Sequence, residues 1–377
     1  MRILHTGLLV GAAALALACA AARDTAVAQD GAPGPFLYVM NQGGASISVI
    51  DIARRAEVAR IDLQALGFGP NARPHDTAVE PDGSFWYASL IGENRVLKFD
   101  RDNRLVGQVE MEVPGLIVAH PTRDLLLAGR SMSAVNPPSS VALIRRSDMT
   151  LLEEVEVVYP RPHALATWRD RWAYSASLAE NRMAVLDVES EDVTLIDLPA
   201  PAAHDSAAMA DHAGHAGMTP HTVVEFAIAP DGRTMVASGQ ISGELMVFEL
   251  SDPAAPRIVH RIHLGGAPWH PAFTPDGRWV YVPLNRADQV AVVDAVSWEL
   301  VDRIDGRGLA EPHGAAPSPD GRLMFVSNNN TGGTYAPGGP DPNAGTVVAI
   351  DTSTREIVEV IEVGPYATGI EAWPAPR

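Results

Sequence analysis

The sequence predicts an all-β fold, a seven-bladed β-propeller of four-stranded blades. Turns of the type Pro-Asp-Gly recur along the chain, and equivalent turn positions stand 40, 47, 62, 45 and 44 residues apart. A period of roughly 40–45 residues with four short strands per unit is typical of propeller blades. The equivalent positions are Asp82, Thr122, Arg169, Asp231, Asp276 and Asp320.

The clearest unit runs from Ala267 to Ile304. Apolar residues alternate in its second strand, which places Val280 and Val282 on the face opposite Tyr281. A sheet that is apolar on both faces can bury them only between copies of itself, and the sequence contains those copies. Turn residues separate the four predicted strands of this unit, Ala272–Thr274, Trp279–Pro283, Gln289–Asp294 and Glu299–Ile304.

The two ends of the chain supply the seventh blade. The segment Gly34–Ile61 has the pattern of the last three strands of a blade, and Gly364–Trp373 has the pattern of a first strand alone. We expect the two segments to join in one sheet, because this closes the ring and leaves no free sheet edge.

A strand motif recurs in several blades. It appears as Tyr38-Val39-Met40-Asn41 and as Tyr281-Val282-Pro283-Leu284-Asn285, and the runs SPDG, VVDA and AIDT accompany it. These residues resemble the YVTN-repeat family of seven-bladed β-propellers, and the resemblance extends over the mature chain. It implies the fold but no single function, since propellers carry many different chemistries.

Residues 1–28 have the pattern of a signal peptide. Arg2 precedes an apolar core, Leu8–Ala18, and Ala26-Val27-Ala28 is a small-x-small cleavage site. The core is too short to span a membrane, so we expect a propeller domain at 29–377, without a transmembrane segment, that is periplasmic or secreted. A lipoprotein signal ending at Cys19 is the alternative, which Leu17 fits poorly. Cys19 is the only cysteine, so either route leaves the mature chain without a thiol.

The charge of the chain excludes two classes of partner. The sequence has 46 Asp and Glu against 28 Lys and Arg, which gives a net charge of −18. A chain this acidic is repelled by nucleic acid and by anionic membrane surfaces. The partners expected instead are a metal ion or a small molecule at the mouth of the channel, or a partner protein.

Five histidines occupy related places at the start of first strands. Proline precedes four of them directly, and Pro268-Trp269 precedes the fifth; in the other two blades Gly115 and Tyr366 stand in this slot. First strands line the central channel of a propeller, so we expect these imidazoles to converge at one end of it. The five residues are His75, His163, His221, His270 and His313.

A hub of neutral imidazoles without thiolates favours copper or zinc as the bound ion. Such a hub loosely resembles the propeller domain of nitrous-oxide reductase, and the resemblance implies a copper site. The chain departs from that enzyme because it has no cupredoxin domain and at most five blades provide a histidine, so nitrous-oxide reduction is not implied. The alternative is that the imidazoles only hydrogen-bond to neighbouring blade loops.

Two insertions interrupt the repeat, at 199–219 and 331–345. Both fall in loops on the face of the ring where the first strands begin, which we call the mouth face. Imidazole together with thioether suits both oxidation states of copper, so we expect the first insertion to cap a copper ion at the hub. The alternative is an Ala-rich loop with incidental histidines. The side chains concerned are His204, His212 and His215, with Met209 and Met218.

Three functions follow from these patterns, and the sequence leaves open whether the protein is an enzyme. The first is a periplasmic metal-binding propeller, with copper favoured, that acts as a carrier, sensor or oxidoreductase. The second is a metal-free scaffold that binds a protein or a ligand. The third is a hydrolase similar to the sugar-lactonase propellers, with Arg73, Arg161 and Glu311 beside the histidines. Asp76, Glu225 and Glu311 are candidates to orient the hub imidazoles.

Overall fold

The computed structural model describes residues 34–134, 139–200 and 221–373. These residues form seven antiparallel sheets of four strands each. One sheet contains β1 (Phe36–Asn41), β2 (Ser46–Asp51), β3 (Ala56–Asp62) and β28 (Ala367–Trp373). The next two contain β4 (Pro74–Val79), β5 (Phe85–Leu90), β6 (Arg95–Asp100) and β7 (Leu105–Glu110), then β8 (Pro114–Ala119), β9 (Leu125–Arg130), β10 (Ser140–Arg145) and β11 (Thr150–Glu156). Two more contain β12 (Pro162–Trp168), β13 (Trp172–Ser177), β14 (Arg182–Asp187) and β15 (Val193–Asp197), then β16 (Val223–Ile228), β17 (Thr234–Gly239), β18 (Glu244–Glu249) and β19 (Arg257–His263). The last two contain β20 (Ala272–Phe273), β21 (Trp279–Leu284), β22 (Gln289–Asp294) and β23 (Leu300–Ile304), then β24 (Pro312–Pro317), β25 (Leu323–Asn328), β26 (Ala344–Asp351) and β27 (Ile357–Pro365).

The predicted seven-bladed propeller is confirmed, and so is the way its ring closes. Strand β28 pairs antiparallel with β1, with Phe36 opposite Trp373 and Val39 opposite Ile370. The C-terminal strand is therefore the first strand of the sheet that β1, β2 and β3 complete. In the clearest unit, β20 to β23 begin and end within one residue of the predicted bounds.

The two faces of one blade pack against its two neighbours. Val280 and Val282 join a buried cluster with Val236 and Val247 of the preceding blade. Tyr281, on the opposite face, joins a second cluster that includes residues of the following blade. The apolar alternation of each strand thus supplies both contacts, and burial between blades stabilises a sheet that would be unstable alone.

A residue in the left-handed backbone region precedes the first strand of every blade. Its φ lies between 47° and 58°, a conformation that costs free energy for residues other than glycine. Its carbonyl accepts an N–H from the residue just after the second strand, as Arg73 O does from Ile91 N at 3.1 Å. We call it the marker residue, because it identifies the same point in each blade. The seven are Arg73, Val113, Arg161, Thr222, Ala267, Glu311 and Tyr366.

The second insertion, at 331–345, lies between β25 and β26 and is held at both edges of its blade. Thr331 donates its N–H and hydroxyl to Glu311, next to the start of β24. Tyr335 donates its hydroxyl to Glu362 on the outer strand β27 at 2.9 Å, and Gly338 N donates to the same carboxylate. The loop therefore follows its own blade from the channel side to the rim.

Two further expectations concern segments that the structure does not describe. The signal peptide expected at 1–28 lies outside the described residues, as do the insertion histidines His204, His212 and His215. Within the described ranges no helix has the length and apolar composition needed to cross a membrane. The helical element found there is a single turn, Ile91–Glu93.

Candidate functional site

The number of residues after the marker residue shows how deep in the channel a side chain of the first strand lies. We call this depth the level of the residue. The residue after the marker pairs with the last residue of the second strand in all seven blades, so the levels are equivalent. Two residues after the marker lies the first level, His75, Gly115, His163, Val224, Trp269, His313 and Thr368. Three residues after it lies the second level, Asp76, Leu116, Ala164, Glu225, His270, Gly314 and Gly369.

Four histidines from these two levels meet at one end of the channel. The ring centroid of His75 lies 5.7 Å from that of His163 and 6.1 Å from that of His313. The ring of His270 lies 4.5 Å from that of His313. All four side chains are buried. We call His75, His163, His270 and His313 the imidazole cluster, and four of the five predicted hub histidines belong to it.

Each ring of the imidazole cluster has one buried nitrogen without a hydrogen-bond partner among the described residues. These atoms are Nε2 of His75, His163 and His270, and Nδ1 of His313. In two rings the other nitrogen is bonded. His163 Nδ1 donates to the carbonyl of Arg130 at 2.8 Å, and His75 Nδ1 donates to Oε1 of Gln42 at 2.8 Å. Buried polar atoms are rarely left unpaired, so this cluster calls for a ligand.

Burial keeps the imidazole cluster uncharged. Loss of water disfavours imidazolium, which lowers the pKa of His75 to about 3 and the pKa of His163 to about 4. Burial also lowers the pKa values of His270 and His313 well below the usual value, and the neighbouring imidazoles lower them further. At neutral pH the cluster therefore presents neutral ring nitrogens.

The fifth predicted hub residue, His221, does not join the cluster. It comes one residue before its marker, Thr222, so Val224 takes the first level in that blade. Its Nε2 donates to the carbonyl of Pro199 at 2.7 Å, and its Nδ1 lies 3.1 Å from Ser242 Oγ. The structure does not bring this residue to the other four, because a position near the strand start does not define the level. His221 holds the chain beside the first insertion.

In two further blades the residue at the first level is not the one that the sequence pattern indicated. In the closing blade Tyr366 is the marker, and Thr368 occupies the first level, where its hydroxyl donates to His75 O at 2.9 Å. In the blade of His270, the first level belongs to Trp269, whose ring lies 4.3 Å from that of His313. Gly115 stands where predicted, and a Cβ there would lie 2.5 Å from the Arg130 backbone.

Three carboxyls line the channel beyond the imidazole cluster. Burial raises the pKa of Asp76 to about 7 and that of Glu371 to about 8. Burial also raises the pKa of Glu225 well above its usual value, and the charge of Asp76 adds to this. Ile117 N donates to Asp76 at 2.8 Å and Val79 N donates to Glu371 at 3.1 Å, each from the following blade. We call Asp76, Glu225 and Glu371 the carboxyl layer; two of its members also link blades.

Glu225 is the member of this layer that contacts the imidazole cluster. Its Oε2 lies 3.5 Å from His270 Nδ1, and its Oε1 accepts the N–H of Phe226 at 3.2 Å. The expected orienting role beside a hub histidine thus fits Glu225. Asp76 instead bonds to the next blade, and Glu311 bonds to Thr331.

An axial cavity of about 540 Å³ extends from Glu225 and His270 along the channel. The first strands of all seven blades line it, together with the carboxyl layer and His270. Its volume is within the range of small-molecule sites.

The sequence patterns did not identify two residues near this site, Glu371 and Trp269. Trp269 was detectable, because it stands six residues before the turn proline, as do His75 and His313.

The arginines and the glutamate predicted beside the histidines do not line the cavity. Arg73, Arg161 and Glu311 are marker residues, and Arg161 donates to the carbonyl of Ala134 at 3.3 Å. Within the described parts of the chain, no group of three or more His, Cys, Asp or Glu side chains is placed so that it could hold a metal ion. The imidazole cluster therefore needs side-chain movement before it can coordinate one.

Comparison with known proteins agrees with the fold. A family model described as "Lactonase, 7-bladed beta-propeller" matches residues 158–298. No curated protein matches the chain. The solved structure of the periplasmic gluconolactonase of Pseudomonas aeruginosa is similar with a TM-score of 0.65 and 19% identity, over 91% of this chain and 100% of that one.

Two other solved structures of known activity share the fold. The hydrazine synthase of Kuenenia stuttgartiensis has a TM-score of 0.64 and 15% identity, over 84% of this chain and 92% of that chain. The dihydro-heme d1 dehydrogenase NirN has a TM-score of 0.56 and 14% identity, over 89% of this chain and 74% of that chain. At such identities the likeness concerns the propeller and not the chemistry.

Proposed function

We propose that the protein is a hydrolase that opens a cyclic ester, a lactone, in the axial cavity. The observation that carries the proposal is the pair formed by Glu225 and His270. The two groups lie 3.5 Å apart, line the same cavity, and leave His270 Nε2 without a partner among the described residues. A carboxyl that orients an imidazole with one free nitrogen is a common arrangement for moving a proton.

The reaction needs one proton acceptor that later returns the proton. His270 Nε2 takes a proton from water while Glu225, as the ionised carboxylate, faces the Nδ1 hydrogen and stabilises the charged ring. Burial raises the pKa of Glu225 and lowers that of His270, so the reaction requires a pH at which this carboxyl is ionised. The hydroxide adds to the carbonyl carbon of the lactone, and the ring C–O bond of the tetrahedral intermediate then breaks. The alkoxide leaving group takes the proton back from Nε2. The net change is lactone plus water to hydroxy acid.

The comparisons support this choice over a scaffold without activity. The family model named for lactonases matches residues 158–298, a range that includes both Glu225 and His270. A periplasmic gluconolactonase shares the fold over the length of this chain. We take a sugar-type lactone as the substrate class on that basis.

The carboxyl layer restricts the substrate further. Asp76, Glu225 and Glu371 lie in one cavity, and a bound phosphate or carboxylate would face them with no Lys or Arg among the described residues that line it. Burying such an anion there is unfavourable, so we propose an uncharged lactone. The hydroxy-acid product is an anion, and the same cost of burying an anion would favour its release.

The test is hydrolysis of a panel of uncharged and phosphorylated lactones, measured through the protons that the acid product releases. We expect turnover of uncharged lactones, with kcat lowered by about 100-fold or more in Glu225→Gln and His270→Gln. Glu359→Gln and His260→Ala, on exposed strand positions, serve as matched controls that keep activity. A wild type that binds lactones without opening them would indicate the scaffold function and overturn the proposal.

Metal binding by the imidazole cluster is the second candidate function, and the ring nitrogens without partners favour it. As a carrier, sensor or oxidoreductase the protein would keep the ion through purification, which elemental analysis measures. For either function we propose a periplasmic or secreted location, which fractionation of native cells and the mass of the mature chain would check.

A further inference from the structure

We infer that His75, His163, His270 and His313 bind a single transition-metal ion between their rings, with copper(II) bound most tightly. This site goes beyond the proposed hydrolysis and does not depend on it. Both use His270 Nε2, so an ion bound there and lactone opening exclude each other, and hydrolysis belongs to the metal-free protein. The cluster lies at one end of the channel, and only His270 belongs also to the axial cavity.

The first support is the set of nitrogens that have no partner. Four blades each send one imidazole to this point, and each ring leaves one buried nitrogen unpaired among the described residues. A structural cluster would be expected to use these atoms in bonds between blades. Retaining four unpaired buried nitrogens in one place costs free energy that a bound ion would recover.

The second support is the protonation that the neighbouring bonds impose. Arg130 offers a carbonyl to His163 Nδ1 and Gln42 offers an amide oxygen to His75 Nδ1, both at 2.8 Å. Carbonyl oxygens only accept hydrogen bonds, so each Nδ1 carries the proton and each Nε2 has a free lone pair. Metal-binding histidines are oriented in this way in known sites.

The third support is the spacing of the rings. Imidazoles that share one ion at about 2.0–2.1 Å have ring centroids roughly 5 Å apart. The separations here are 4.5, 5.7 and 6.1 Å. The four blades hold the rings near this distance, but no described group is yet placed to hold an ion. The Nδ1 bonds fix His75 and His163, so binding requires His270 and His313 to turn toward them.

The identity of the ion follows from the ligands. The cluster offers nitrogen alone, without thiolate, and the one cysteine of the chain is Cys19. Imidazole sites take copper, zinc and nickel, and affinity for divalent ions is highest for copper. Glu225, 3.5 Å from His270 Nδ1, adds a carboxyl that would favour the bound cation.

The test is titration of chelator-treated full-length protein with copper(II) and, separately, zinc(II). We expect one copper ion per chain, with nitrogen splitting in its EPR spectrum and affinity above that for zinc. His163→Gln and His313→Gln should each weaken copper binding by about 100-fold, while His260→Ala leaves it unchanged. Thermal melts identify any variant that fails to fold, and the EPR spectrum of the wild type remains decisive without variants.

Further variants distinguish this copper site from copper binding by the first insertion and from the proposed lactone site. The triple change of His204, His212 and His215 to Ala should leave the cluster-bound copper in place. In metal-free protein Glu225→Gln should lower lactone opening by about 100-fold or more, and the same variant should still bind copper, so failure of one proposal is distinguishable from failure of the other. Absence of copper binding, copper without imidazole nitrogen, or copper lost in the triple variant and retained in His163→Gln would each overturn the inference.

Discussion

Trp269 stands at the level in its blade that His313 occupies in the next, and their rings lie 4.3 Å apart. The tryptophan takes the first level, so the histidine of that blade, His270, moves one residue deeper. There it reaches both His313, at 4.5 Å between ring centroids, and Glu225, at 3.5 Å. One residue of offset thus connects the imidazole cluster with the carboxyl layer.

Trp269 should report copper at the imidazole cluster. Its indole is in contact with the His313 ring, so copper(II) bound between the rings should quench its emission. We expect Trp269→Phe to lose most of the quenching while its copper affinity, measured by chelator competition, stays within about threefold of the wild type. Trp298→Phe, on the outer side of the blade, is the control that retains quenching.

Glu371→Gln should make the stability of the protein less dependent on pH. Burial raises the pKa of Glu371 to about 8, so the folded chain holds a proton that the unfolded chain releases above its ordinary pKa. The wild type therefore loses stability as pH rises toward 8, and Gln removes this loss while it can still accept from Val79 N.

The measurement is thermal unfolding at pH 5.5 and pH 8.5. We expect Glu371→Gln to raise Tm by about 2–4 °C at pH 8.5 relative to the wild type, with a smaller gain at pH 5.5. The exposed Glu359→Gln should shift Tm equally at both values. A larger gain at the lower pH would contradict the assignment.

Gly369→Ala should destabilise the channel where the closing blade meets its neighbour. A Cβ at Gly369 would lie 2.6 Å from both Asp76 Cα and His75 O, which are backbone atoms that cannot turn aside. We expect a loss of about 1–3 kcal/mol in the free energy of unfolding and weaker copper binding through displaced His75. At exposed Gly338 the nearest atom is a flexible carboxylate oxygen at 3.7 Å, so Gly338→Ala should be nearly neutral.

His221→Ala should separate structure from function among the predicted hub histidines. It removes bonds to Pro199 O and Ser242 Oγ, so we expect stability to fall by about 1–3 kcal/mol. Copper binding and lactone opening should stay as in the wild type. Loss of copper binding in a variant that remains folded would return His221 to the metal site.

Removal of residues 364–377 should break the ring. It deletes β28, which pairs with β1, and so exposes the backbone edge of β1 from Phe36 to Asn41. Free edges pair with other chains, so we expect aggregation in size-exclusion chromatography. Deletion of residues 374–377 alone spares β28 and should leave the protein soluble and monodisperse.

The sequence by itself determined the fold, because its signals are local. Turn motifs and alternating apolar residues repeat with a nearly constant period, and each strand needs only its sequence neighbours to pair. The complementary strand content of the two ends was likewise sufficient to predict that β28 pairs with β1. The histidines at first-strand starts were recognisable for the same reason.

The tertiary structure decided which side chains meet in the channel, because contacts between blades do not follow from residue counts within one blade. The distance to the turn proline differs from that of His75 by three residues for His221 and by one for His270. Only the structure shows that His221 lies outside the imidazole cluster and that His270 belongs to it.

The carboxyl layer is the second feature that required the tertiary structure. Asp76, Glu225 and Glu371 stand in three blades that are distant in sequence, and ring closure brings them into one cavity. Their raised pKa values, and the unpaired nitrogens of the imidazole cluster, come from burial at the axis, which no single blade possesses.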